Sequence, residues 1–85
     1  HYLQIGIAVS TYYDQRVLDA VERHEPAIRS AVLALISEQD PVALTTQAGK
    51  ERLQRDLAAT INRTLNAREG FGGIDAVHFS AFVMQ

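Results

Sequence analysis

The chain has no cysteine and no tryptophan, and only two prolines and one lysine. Without a thiol there is no disulfide to brace the fold, no thiolate metal ligand and no thiol nucleophile. Charge of one sign is also scarce. Seven arginines and one lysine are scattered among ten acidic residues, for a net charge of −2. A nucleic-acid partner needs a concentrated basic surface, and none is readable here. Long apolar runs are missing too. A membrane helix needs about 20 apolar residues. The longest uncharged stretch, from His1 to Tyr13, is shorter and carries Gln, Gly and Ser. The chain opens on His1 rather than methionine, directly in a strand-like segment. It therefore reads as a fragment of a longer protein, whose upstream part has room for an anchor. At 85 residues it is expected to be a single domain, 1–85. A chain of this size buries roughly 60–65% of its unfolded surface, so its core is thin.

What is present is an uncharged segment at each end with all the charge between them. Residues 2–13 alternate with period two. Leu3, Ile5, Ile7, Val9, Thr11 and Tyr13 fall on one face; Tyr2, Gln4, Gly6, Ala8, Ser10 and Tyr12 fall on the other. The branched set is expected to face the core. In residues 76–85 the same alternation puts Val77, Phe79, Ala81 and Val83 on one side. It puts Ala76, His78, Ser80, Phe82 and Met84 on the other.

Between the two strands, Asp14 offers a helix N-cap. Val17, Leu18, Val21, Ile28, Val32, Leu35 and Ile36 follow as one apolar stripe. Pro26 predicts a kink or a fresh helix start. Arg16, Asp19, Glu22, Arg23 and Arg29 form the solvated face. Asp40-Pro41 predicts a short turn through Leu44, and Thr45 or Thr46 can cap the next helix. Leu53, Leu57, Ile61 and Leu65 recur every four residues, flanked by Glu51–Arg55 and Arg52–Asp56 pairs of opposite charge. Gly70, Gly72 and Gly73 end that helix. The expected fold is α+β: a βααβ core with an antiparallel strand pair and two amphipathic helices on one sheet face.

Few residues suggest chemistry. Asp75, His78 and Ser80 invite a hydrolase reading, but His78 and Ser80 lie about 6.5–7 Å apart along a strand. Asp75 points to the other face, and a triad needs hydrogen-bond contact in series. His24 and His78 have no His-x₃-His or carboxylate cluster around them to hold a metal. Glu69-Gly70-Phe71-Gly72-Gly73 leads into a strand, whereas phosphate loops lead into a helix. Phe71, flanked by glycines, is either tucked onto the core or presented to a partner. No catalytic residue, cofactor or metal is expected. The stronger signal is the uncharged even face of both strands. A contiguous uncharged sheet face is usually covered, by an upstream strand or by a partner. Tyr2, Gln4, Ala8, Tyr12, Phe71, His78 and Phe82 are the candidate interface.

These segments also resemble the periplasmic domain of the flagellar basal-body FliL family, over essentially the whole chain. The resemblance is carried by Tyr2-Leu3-Gln4-Ile5, by Pro26-Ala27-Ile28-Arg29-Ser30 running on to Ile36-Ser37, and by Gly49-Lys50-Glu51 with Leu53. Ile61-Asn62 and the closing residues 77–85 complete it. It implies a stomatin–prohibitin (SPFH)-like fold in the periplasm, anchored to the inner membrane by a single N-terminal helix outside this chain. It also implies an upstream strand, ring-forming self-association, and a partner in the MotA–MotB stator, whose torque it supports in swimming and swarming. The competing expectation is a small periplasmic ligand-binding or enzymatic α+β domain with the uncharged face as pocket floor.

Overall fold

The computed structural model describes residues 2–11 and 15–85. The elements run β1 (Leu3–Ser10), α1 (Gln15–Arg23), α2 (Glu25–Ser37), a 3₁₀ turn (Ala43–Thr45), α3 (Gln47–Glu69) and β2 (Ala76–Met84). β1 and β2 form a two-stranded antiparallel sheet, and the helices pack on one face of it. The expected α+β arrangement is therefore the observed one, with one refinement. The first helical segment is two helices, broken at His24, and α2 restarts with Pro26 in its first turn. Proline fits there because its missing N–H would have no intrahelical partner anyway. The proposed Asp14 cap lies outside the described residues.

Asp40 Oδ1 accepts from the Val42 N–H at 3.0 Å, which opens the turn that drops Leu44 into the core at 2% exposure. Thr46 caps α3 by accepting from the Gly49 N–H at 3.0 Å. Gly49 is required at that place: a Cβ there would lie 1.9 Å from the Ala43 carbonyl oxygen. The helix closes on Gly70 in the left-handed conformation, φ 82°, with its N–H on the Asn66 carbonyl. Leu53, Leu57, Ile61 and Leu65 are all buried and form the spine of the core with Val17, Ala20, Ile28, Val32, Leu44, Ile74 and Val77. Leu18, expected in the stripe, is exposed instead; Ala20 takes the inward position on α1. Of the ion pairs, Arg29 Nε donates to Glu25 Oε1 at 2.7 Å. Glu51 accepts from Gln47 Nε2 at 3.3 Å rather than pairing with Arg55.

The sheet departs from simple alternation. Gly6 pairs with Ala81 but Ile7 pairs with Phe79, so Ser80 is an extra residue in β2, a β-bulge. Beyond it every side chain changes face. Phe82 and Met84 turn inward onto the core, while Ala81 and Val83 turn outward. The expected placement of Ala81 and Val83 inside, and of Phe82 and Met84 on the open face, is thus corrected. Gly6 makes room for the bulge: an added Cβ would sit 2.7 Å from Ser80 Oγ. Inside, Phe82 meets Phe79 edge to face at a 5.3 Å centroid distance, and Lys50 Nζ lies 5.0 Å from its ring.

Candidate interaction surface

Two elements of surface follow from this frame. The first is the outward sheet face. β1 contributes Gln4, Ala8 and Ser10, and β2 contributes His78, Ala81 and Val83. Among the described residues, His78 is the one ionisable side chain on it, and the rest of the face is small and uncharged. Tyr2 lies at its end, half exposed, and donates its hydroxyl to Gln4 Oε1 at 2.9 Å. Tyr2 and Gln85 exchange backbone N–H···O bonds of 3.0 and 2.8 Å. Of the candidate interface residues, the structure brings Tyr2, Gln4, Ala8 and His78 onto one face. Phe82 is on the core side, and Tyr12 lies outside the described residues. Val83, 40% exposed, is the apolar outward residue that plain alternation missed. The available signal was Gly6 opposite the bulge.

The second element is the loop between α3 and β2. Asn62, on α3, holds it by three hydrogen bonds. Its Oδ1 accepts from the Gly73 and Ile74 N–H groups at 3.0 and 2.8 Å, and its Nδ2 donates to the Ile74 carbonyl at 2.8 Å. Thr11 Oγ1 donates to the Gly73 carbonyl at 2.6 Å. Phe71 rides on this pinned loop with 40% of its surface exposed. At the start of the loop, Glu69 accepts from the Arg23 guanidinium, and His24 Nε2 lies 3.1 Å from the same carboxylate oxygen. The His24 hydrogen bond, with the Arg23 charge behind it, holds the Glu69 carboxyl below its usual range. The cluster also offsets an unfavourable placement, since a carboxylate at the last residue of a helix faces the negative end of its dipole.

A groove of about 440 Å³ runs between β1 and α2. It is walled by Ile5, Ile7, Val9, Val21, Ile28, Val32, Leu33 and Ile36, with Glu25 and Arg29 at its rim. Its origin is a mismatch of widths. Two strands cover about 10 Å; two packed helices cover about 20 Å. β2 lies over α3, so the inward residues of β1 reach only partial burial above α2. Tyr2 exchanges its bonds with Gln85, so by antiparallel parity the backbone groups of Leu3 and Ile5 point to the outer edge of β1 beside this groove, which no other strand among the described residues pairs.

The polar residues considered for chemistry do not converge. His78 Nε2 sits 3.5 Å from Ser10 Oγ on the neighbouring strand, and Ser80 occupies the bulge. Asp75 enters the sheet through its backbone, its N–H on the Ser10 carbonyl at 2.9 Å. Among the described residues no group of three or more His, Asp or Glu side chains is placed to hold a metal. No helix among them is long and apolar enough to cross a membrane.

In class, the described residues form a thin α+β core of an antiparallel strand pair and packed helices, with an uncharged outward sheet face and an apolar groove beside β1. Comparison with known proteins makes the assignment specific. A family model described as flagellar basal body-associated protein FliL matches residues 1–85, and the chain belongs to that family. Flagellar protein FliL of Aquifex aeolicus (strain VF5) is 33% identical over 84 residues, covering 99% of this chain and 49% of its own length. Flagellar protein FliL of Escherichia coli (strain K12) is 29% identical over 83 residues, covering 98% of this chain and 53% of its own. The chain therefore spans about half the length of these relatives.

Proposed function

We propose that this chain is the periplasmic part of a non-catalytic flagellar basal-body protein that self-associates and contacts the motor stator, supporting torque in swimming and swarming. The observation that carries the reading is membership of the FliL family across the whole chain. The surface is in keeping with it. A neutral sheet face and a free strand edge suit protein contact, since an open edge is a template for another chain. A head-to-tail repeat of one such contact closes into a ring. The MotA–MotB channel is the proposed stator partner, and an N-terminal membrane helix outside this chain the proposed anchor. The stomatin–prohibitin likeness belongs to the same proposal.

The area available limits what this face can do alone. Two strands of eight or nine residues present roughly 250 Å² of sheet face. A standard interface takes about 800 Å² from each partner. The face alone is too small, so the edge and the Phe71 loop are recruited as well, and tethering in a membrane raises the effective concentration. Weak, concentration-dependent association is expected of residues 1–85, and robust association of the anchored protein. The test is site-specific photocrosslinking in motile cells from residue 8 of the full-length protein. Adducts with a second copy or with MotA–MotB are expected. A crosslinker active at that position that captures neither would overturn the reading.

A further inference from the structure

We draw no further inference here: the strongest candidate, the apolar groove of about 440 Å³ between the free edge of β1 and α2, is an unpartnered face, and nothing in the structure shows what covers it.

Discussion

Asn62 and Glu69 do the most at the scale of single residues, because each joins segments far apart in the chain. Asn62→Ala leaves the Gly73 and Ile74 backbone groups without their side-chain partners. Orphaned, partly buried backbone groups cost about 1–3 kcal/mol. Urea denaturation should show a loss of that size; an unchanged midpoint would mean the loop holds itself. Glu69 makes a prediction about pH. Its carboxyl is held below the ordinary value of 4.5 in the folded state. A depressed carboxyl contributes stability that is fully present above its unfolded value and fades as pH falls through its folded one. Wild type should therefore melt above Glu69→Gln at neutral pH, with the gap narrowing once pH drops below about 4.5. A gap that stays constant down to pH 3 would contradict the pairing with His24 and Arg23. In the core, Leu57 is fully buried, and Leu57→Ala should cost about 2–5 kcal/mol. Total stability for a domain is about 5–15 kcal/mol, so this variant is near unfolding.

Among the elements, the helices and the strand pair were legible in the sequence, and the bulge was not. The α3 stripe could be read because four-residue spacing is a local property, and its four members are all buried. The 3₁₀ turn announced itself through Asp40-Pro41. The bulge left no such trace. Residues 77–80 alternate apolar and polar, but Ala81-Phe82-Val83-Met84 is a continuous apolar run that fits either register, and the compensating glycine, Gly6, is on the other strand, 74 residues before Ser80. An extra residue reverses every side chain after it, which is why Phe82 was placed on the wrong face. Gly49 and Asn62 were opaque for the same kind of reason: each answers to a backbone that only the folded chain brings near. Ala8 and Phe82, which plain alternation put on the same open face, therefore separate under substitution. Ala8→Glu points outward and should leave the melting temperature nearly unchanged. Phe82→Glu removes a ring packed on Phe79 and should cost at least about 2 kcal/mol. Equal melting temperatures for the two would show that the register reverts to plain alternation. Gly49→Ala should likewise cost more than Gly6→Ala. The first meets a backbone carbonyl, and overpacking of this kind costs typically about 1–3 kcal/mol. The second meets a serine hydroxyl that can rotate away.

For the whole molecule, the structure separates a well-filled half from a thinly filled one. α3, β2 and the 3₁₀ turn surround side chains that are almost fully excluded from water, whereas β1 stands over α2 with its inward residues half covered. A two-stranded sheet is marginal in isolation, so this half is where stability depends most on neighbours. Family membership was legible from short segments spread along the chain, read together in their order and spacing, and the family match covers residues 1–85. The proposed contact face was legible only in part: Tyr2, Gln4, Ala8 and His78 do share a side of the sheet, whereas Val83 reaches that side through the bulge. The central claim is that this neutral face touches protein in the assembled motor. The most direct measurement places a charge there in the full-length protein, as Ala8→Glu and Val83→Glu, and reads swarming alongside crosslinked assembly in cells. Both variants should accumulate and fold as wild type does, yet assemble poorly and swarm weakly. Folded, normally abundant variants that assemble and swarm like wild type would contradict the claim and move the contact to the helices, the Phe71 loop or a strand edge.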